Sequence, residues 1–165
     1  WRASISAKDV VLDVGANVGL YSLVAAQSGA RVVAFEPNPV TRRRMERNVA
    51  LNAFESRVDV RAEALSDRSG EALLFDDVNA GTFGANAGVA SLSPKNAGGR
   101  SVSVQTTTLD DVASALALER LDWIKLDIQG AELAALKGGK ATLDRHRPRL
   151  LLEIDENASR NMGWS

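Results

Sequence analysis

Short apolar runs alternate along this chain with longer segments in which apolar residues recur every three or four positions. Runs of the first kind predict strands buried on both faces, and segments of the second kind predict helices. We predict parallel strands at 10–13, 31–35, 57–61, 121–127 and 150–154, with further strands at 72–75 and 101–106. We predict helices over 18–26 and 39–51, and helices opening at 108 and 130. Strands that alternate with helices in this way predict a doubly wound, Rossmann-like sheet between two helical layers.

Residues typical of helix ends support these boundaries. Asn38 is a good N-cap, and Pro39 then occupies the first helical position. Gly29 lies where a helix C-cap is expected, and Thr108 begins a sequence that resembles a capping box. Each of these signals agrees with the apolar periodicity next to it.

A glycine turn follows the first predicted strand. Gly15 and Gly19 bracket it, and Asp13 precedes it at the strand end. A dinucleotide fingerprint would place a second glycine where Asn17 stands, so that a pyrophosphate could approach the backbone. The turn with Asp13 instead favours a cationic ligand without phosphate, such as S-adenosylmethionine. A tight turn that binds no ligand is the alternative.

An acidic residue ends the second predicted strand. Glu36 follows Asp13 by 23 positions, which is close to the spacing at which an acid meets a ribose hydroxyl in nucleotide-binding folds. A helix-capping or solvated acid is the alternative. The helix that follows carries Arg42, Arg43, Arg44 and Arg47. We interpret these arginines as a solvated face, and an RNA-binding patch is the alternative.

Two later segments are predicted to border the ligand. The loop at 63–67 lies beside the adenine end of the cofactor in a doubly wound sheet, where Ser66 and Asp67 either bind the adenine amine or form a turn. The segment 76–100 is rich in glycine, alanine, asparagine and serine and has no periodicity. We interpret it as a lid over the substrate, with disorder as the alternative.

Charged residues accompany the fourth and fifth parallel strands. Lys125 and Asp127 share one face of the fourth strand, and a buried lysine requires a partner. Asp127 and Glu153 fall near the carboxyl ends of their strands, where such folds bind ligands. The alternative role of Asp127 is only to neutralise Lys125. His146 precedes the fifth strand, so we expect it on the surface at the opposite end of the sheet.

Composition limits the class of protein. The 165 residues suit one domain, 1–165, and 20 basic against 21 acidic residues indicate neither a nucleic-acid nor a membrane partner. The chain has no cysteine, which excludes disulfides, cysteine nucleophiles and thiolate metal sites. We expect a cytoplasmic protein because no apolar run is long enough to cross a bilayer. The oligomeric state is not predicted.

Several of these motifs together resemble the FkbM family of S-adenosylmethionine-dependent methyltransferases. The matching motifs are VLDVGANVG at 11–19, FEP at 35–37, ALSD at 64–67, TLD at 108–110 and IKLDIQGAE at 124–132. The resemblance covers nearly the whole chain, and the set is specific although each motif alone is weak. It implies a class I methyltransferase fold and, typically, O-methylation of a hydroxyl on a sugar or natural product.

The resemblance also implies the residues of a cofactor site. Those that would surround the methionine part of the cofactor are Asp13, Gly15, Ala16, Asn17 and Gly19, with Asp127 facing it. Those that would surround the ribose and adenine are Glu36, Pro37, Asn38, Ala64, Leu65 and Ser66. The C-terminal antiparallel hairpin of class I enzymes has no counterpart here, and the chain begins at Trp1. We therefore expect a fragment of a longer protein.

Methylation of a hydroxyl requires a base or a metal, because an alcohol is a poor nucleophile. Asp127 and Glu153 are the predicted catalytic carboxylates, with Lys125 beside them. They could act as a base or hold Mg²⁺ with a third ligand, although two acids alone make a weak case for a metal. The alternatives are N-methylation, RNA methylation, a nucleotide-binding dehydrogenase and a non-catalytic nucleotide-binding Rossmann domain.

Overall fold

The computed structural model describes residues 1–76, 90–93, 100–154 and 156–163. The strands are β1 (Val10–Val14), β2 (Arg31–Phe35), β3 (Val58–Arg61), β4 (Ala64–Leu65), β5 (Gly70–Asp76), β6 (Ala90–Ser91), β7 (Arg100–Thr107), β8 (Trp123–Leu126) and β9 (Arg149–Leu152). The helices are α1 (Leu20–Gln27), α2 (Pro39–Leu51), α3 (Leu109–Ala115), α4 (Glu132–Lys137), α5 (Lys140–His146) and α6 (Glu156–Asn161), after a 3-10 turn at Arg2–Ser4.

A five-stranded parallel sheet forms the centre of the fold, in the order β3-β2-β1-β8-β9. β1 lies between β2 and β8, and its residues pair in register with both, Val14 facing Phe35 on one side and Leu126 on the other. The five predicted parallel strands are confirmed. All five strands run in the same direction, so their carboxyl ends meet at one edge of the sheet.

Helices cover both faces of this sheet. Alternate strand residues point to opposite sides, and both sides carry apolar residues that pack against helices. One face carries Leu12, which belongs to a core cluster that includes residues of α3 and α4. The other face carries Val11, in a cluster that includes residues of α1 and α2. The predicted doubly wound α/β architecture is therefore confirmed, with continuous apolar strands buried on both sides.

A second, four-stranded sheet was not predicted. Its order is β4-β7-β5-β6, with β4 parallel to β7 and the other pairs antiparallel. The loop predicted at 63–67 contains the short strand β4. Its two residues are too few to show a pattern in the sequence. The pairing of β5 with β7 spans 76–100, so no local hairpin signal marks it.

Backbone geometry explains where two helices differ from their predicted starts. α1 begins at Leu20 instead of residue 18, because Asn17 (φ 52°) and Gly19 (φ 94°) adopt left-handed conformations. α4 begins at Glu132 rather than at Gly130, which has a φ of 97°. By contrast, the Asn38 side chain caps α2 as predicted, accepting hydrogen bonds from the first-turn amides.

The glycine-rich segment is described only in part. Within residues 90–93, Ala90–Ser91 form β6, which pairs with β5, so these two residues are strand and not loop. The lid prediction otherwise falls on 77–89 and 94–99, which lie outside the described residues. Within the described part of the chain, no helix is both long and apolar enough to cross a membrane.

Candidate active site

A narrow cleft opens at the carboxyl edge of the parallel sheet. It encloses about 660 Å³, including its opening to solvent. Its described walls are formed by Val14, Gly15, Asn17, Phe35, Glu36, Pro37, Asn38, Thr41, Glu63, Ala64, Leu65, Leu74, Leu92, Asp127, Ile128 and Ala131. This is the edge at which doubly wound folds bind their ligands.

Glu36 lies at the end of β2 with its side chain fixed by backbone amides. The Asn17 N–H donates to Oε2 at 2.8 Å, and the Asn38 N–H donates to Oε1 at 2.9 Å. Glu36 is only 7% exposed, and this burial raises the pKa of its carboxyl while the two amides oppose the rise. Each carboxylate oxygen keeps an acceptor site for a further donor in the cleft.

The Gly15 turn joins the first strand to its neighbours on both sides. Gly15 has a φ of 73°, and its N–H donates to the Phe35 carbonyl of β2 at 3.0 Å. A Cβ at this position would collide with the Asp127 carbonyl. Gly15 is therefore required both by its backbone conformation and by the close approach of the segment that follows β8.

Asp127 follows β8 and is held by two neighbouring side chains. Gln129 Nε2 donates to Oδ1 at 3.2 Å, and Lys125 Nζ lies 3.3 Å from Oδ2. The Asp127 side chain is 27% exposed and borders the cleft. It therefore presents a fixed carboxylate to anything bound at this end of the site.

Lys125 and Asp13 do not reach the cleft, which differs from the sequence expectation for both. They face each other across β1 and β8, with Lys125 Nζ 3.5 Å from Asp13 Oδ1. Asp13 is fully buried, and its Oδ2 accepts a hydrogen bond from Ser22 Oγ at 2.6 Å. Burial raises the pKa of the Asp13 carboxyl, opposed by the charge of Lys125 and the Ser22 hydroxyl. Asp13 points toward α1 because it shares the face of Val11.

Glu153 lies beside Asp127 but is not among the residues that form the cleft. β8 and β9 pair Leu126 with Leu152, so the residues that directly follow the two strands, Asp127 and Glu153, are neighbours. The negative charge of Asp127 raises the pKa of Glu153. Within 1–76, 90–93, 100–154 and 156–163, no three histidine or acidic residues are grouped to hold a metal ion. The possible Mg²⁺ site gains no support from this geometry.

The remaining cofactor-site predictions divide into two groups. Gly15, Asn17, Pro37, Asn38, Ala64 and Leu65 line the cleft together with Glu36 and Asp127, and their contact with a cofactor stays a prediction. Ala16, Gly19 and Ser66 are not among the lining residues. Ala16 lies in the core beneath α1, Gly19 packs against Met45, and the Ser66 backbone packs against Gly138.

The sequence did not indicate several residues of the cleft wall. Thr41 lies in the first turn of α2, whereas Glu63, which immediately precedes β4, belongs to the loop at 63–67 that was predicted to border the ligand. Leu74 belongs to β5 and Leu92 directly follows β6, and no local pattern predicts the position of this second sheet. Thr41 could have been found from its position three residues after the Asn38 cap, on the same face of the helix.

Two surface predictions have different outcomes. His146 borders a polar depression with Asp9 and Asp122 at the amino end of the sheet, away from the cleft, as predicted.

Arg42 is not only a solvated residue, because its guanidinium donates to the carbonyls of Glu36 and Pro37, each at 3.2 Å. Arg42 therefore stabilises the loop that carries Glu36.

The chemistry of the described walls suits a cationic, nucleoside-like ligand. The charged residues that line the cleft are Glu36, Glu63 and Asp127, and no lysine, arginine or histidine is among the described lining residues. A pyrophosphate would therefore meet three acids and no counter-charge. Apolar side chains such as Phe35 and Leu65 offer a surface on which a flat base can pack. S-adenosylmethionine matches this set, since it has cationic groups, a ribose and an adenine.

Comparison with known proteins agrees with this geometry. A family model described as Methyltransferase FkbM domain matches residues 13–162. The chain is 33% identical over 180 residues to the AMB antimetabolite synthetase AmbE of Pseudomonas aeruginosa, covering 89% of this chain and 8% of that protein. It is 31% identical over 157 residues to the 2-O-methyltransferase NoeI of Sinorhizobium fredii, covering 84% of this chain and 60% of that protein.

A solved structure shares the fold. The methyltransferase FkbM of Methylobacillus flagellatus superposes with a TM-score of 0.61 at 22% identity, covering 90% of this chain and 33% of that one. At this identity the likeness supports the architecture alone. The chain spans less than two thirds of the length of each of these three proteins.

Proposed function

Because the chain belongs to the FkbM family of methyltransferases, we propose that it binds S-adenosylmethionine in the cleft and methylates a hydroxyl group. The acceptor in this proposal is a small molecule, either a sugar or a natural product. The position of Glu36 carries the proposal. A buried carboxylate at the end of β2, held by two backbone amides, matches the two hydroxyls of a ribose.

Strand order sets the direction of the ligand along the cleft. β1 separates β2 from β8, so Glu36 and Asp127 lie about 10 Å apart across the sheet edge if each strand spacing is ~4.8 Å. A ribose on Glu36 would direct the adenine toward Ala64 and Leu65, away from β1. The methionine part would then cross the Gly15 turn toward Asp127.

S-adenosylmethionine supplies a methyl group on a sulfonium, so the protein has to align an acceptor and receive one proton. Asp127 is the cleft carboxylate at the end away from Glu36. Its fixed oxygens could orient an acceptor hydroxyl and accept its proton. Glu153, next to Asp127, extends the acidic surface outside the cleft.

The proposed acceptor class draws support from a relative. The name of NoeI, 2-O-methyltransferase, describes transfer to oxygen. The exposed edge of Asp127 fits such an acceptor, because a carboxylate accepts a hydrogen bond from a hydroxyl donor.

Transfer of labelled methyl groups tests this proposal. We expect the full-length protein to move label from S-adenosylmethionine to a hydroxyl in a panel of sugars and polyketide-like alcohols. Asp127→Asn nearly preserves size but removes the charge, so we expect the single-turnover rate to fall by about 10²-fold or more. S-adenosylmethionine affinity should change much less.

Asp144→Asn is the matched control for this test. Asp144 is an exposed acid of α5 that pairs only with the exposed Lys140 among the described residues. The Asp144→Asn variant should transfer methyl groups at the wild-type rate. Label found on an amine or on RNA would replace the hydroxyl assignment, and binding without transfer to any acceptor would indicate a non-catalytic domain. Full activity of Asp127→Asn would remove Asp127 from the reaction.

A further inference from the structure

The ammonium of Lys125 connects three backbone and side-chain groups. Its Nζ donates to the Gly15 carbonyl at 2.7 Å, and it lies 3.3 Å from Asp127 Oδ2 and 3.5 Å from Asp13 Oδ1. The Gly15 carbonyl accepts a hydrogen bond from this ammonium, whereas the Asp127 and Asp13 carboxylates form ion pairs with it. The Lys125 side chain is 5% exposed, so water does not compete strongly for these bonds.

Two of the three acceptors belong to the proposed reaction site. The Gly15 carbonyl is part of the turn that would carry the methionine end of the cofactor, and Asp127 would face the acceptor. The third, Asp13, is anchored to α1 through Ser22. One buried cation therefore joins both halves of the cleft to the helix behind them.

We propose that Lys125 is a positioning residue that holds the Gly15 turn and Asp127 in fixed relation, so that donor and acceptor meet correctly. This inference rests on the proposed function. Lys125 does not line the cleft, so its effect on the reaction passes through the two groups that it holds. Methyl transfer needs in-line alignment, and a small displacement of either group lowers the rate.

The test must separate this role from charge compensation. Lys125→Met alone would leave Asp13 buried without a counter-charge, which is strongly destabilising. The double variant Asp13→Asn with Lys125→Met removes both charges, while an asparagine can still accept the Ser22 hydrogen bond. Asp13→Asn alone is its reference, because Lys125 there keeps its bonds to Gly15 and Asp127.

We expect kcat for methyl transfer to fall about tenfold or more from Asp13→Asn to the double variant, with the acceptor KM changed less. Asp144→Asn, at an exposed position of α5 outside this network, is expected to leave kcat unchanged. Equal kcat values in Asp13→Asn and the double variant would overturn the positioning role.

Amide hydrogen exchange gives a readout that needs no turnover. The amides of Gly15 and Ala16 bond to the Phe35 carbonyl, and that of Asp127 bonds to the Val14 carbonyl. In the double variant these three amides should exchange about tenfold faster than in Asp13→Asn. Unchanged exchange would contradict the positioning role of Lys125, whether or not the protein binds S-adenosylmethionine. A failure to bind S-adenosylmethionine would instead overturn the proposed function.

Lys125→Arg covers the case in which the double variant does not fold. Arginine retains the charge that balances Asp13, but its planar guanidinium cannot place one nitrogen against Gly15, Asp127 and Asp13 together. We expect Lys125→Arg to fold, with faster exchange at Gly15 and Asp127 and a kcat lowered about tenfold. Wild-type exchange and kcat in this variant would count against the proposal.

Discussion

Glu36 is buried and accepts hydrogen bonds from two backbone amides, so its protonation state should affect ligand binding. Burial raises the pKa of the carboxyl, yet the proposed role requires the ionised form. Only a carboxylate accepts hydrogen bonds at both oxygens from both ribose hydroxyls. Cofactor affinity should therefore depend on pH in a range where an exposed glutamate would no longer titrate.

We predict that affinity for S-adenosylhomocysteine falls as pH decreases below the raised pKa of Glu36. If only the ionised form binds, affinity drops about tenfold per pH unit below that pKa and is constant above it. Calorimetric titrations across the acidic range give this profile.

Glu36→Gln is the control for this profile. Its amide cannot take the carboxylate role, so we expect weaker binding at neutral pH by about 1–3 kcal/mol, as for loss of a charge-assisted hydrogen bond. Its affinity should also vary less with pH. A wild-type profile as flat as that of Glu36→Gln would show that another group binds the ribose.

Single residues also show what a sequence can reveal about a site. Glu36 and Asp127 follow apolar strands, and their positions at the strand ends predicted both at the ligand-binding edge of the sheet. The same reasoning failed for Asp13, because its side chain faces α1 below the turn. Only the tertiary pairing with Lys125 and Ser22 distinguishes a buried anchor from a ligand contact.

At the scale of elements, Asp110 connects two helices that are distant in sequence. It lies in the first turn of α3, and its carboxylate accepts from the Thr142 amide at 2.7 Å and the Ala141 amide at 3.2 Å. These amides belong to the first turn of α5, whose own N-cap, Gly139, has no capping side chain. The TLD motif therefore caps two helices, through Thr108 and Asp110.

We predict that Asp110→Ala destabilises the fold by about 0.5–2 kcal/mol, the range for loss of a helix cap. Although partial burial acts in the opposite direction, the bonds from Thr142 and Ala141 lower the pKa of Asp110. Its stabilisation should thus be present above the unfolded pKa and lost as pH falls through the lower folded pKa. Urea unfolding at neutral and acidic pH measures both effects.

Asp111→Ala serves as the matched control for the capping prediction. Asp111 is the next residue along α3, and its carboxylate accepts from the Ser69 hydroxyl at 2.7 Å at an exposed position. We expect a smaller loss than for Asp110→Ala. Equal losses in the two variants would mean that capping of α5 contributes nothing specific to stability.

Element boundaries were predictable where local signals coincide. α2 begins at Pro39 and ends at Leu51 as predicted, because the Asn38 cap and the apolar period agree. The second sheet was not predictable, since β5 and β7 pair across 76–100 without a turn signal. Non-local pairing of this kind is invisible to residue periodicity.

At the scale of the whole molecule, this chain contains the part of the fold that would hold the cofactor. β1, β2 and β8 place the Gly15 turn, Glu36 and Asp127 along one edge, and the charged residues among the described walls are all acidic. These features come from a span that matches the family over residues 13–162. The central claim is therefore one of cofactor identity, and it can be tested without knowing the acceptor.

Calorimetric titration of the full-length protein with S-adenosylhomocysteine, and separately with NAD, tests that claim most directly. We predict that S-adenosylhomocysteine binds and that Glu36→Gln weakens this binding. NAD should give no binding heat, because its pyrophosphate meets an acidic cleft. Tight binding of NAD together with no binding of S-adenosylhomocysteine would contradict the account.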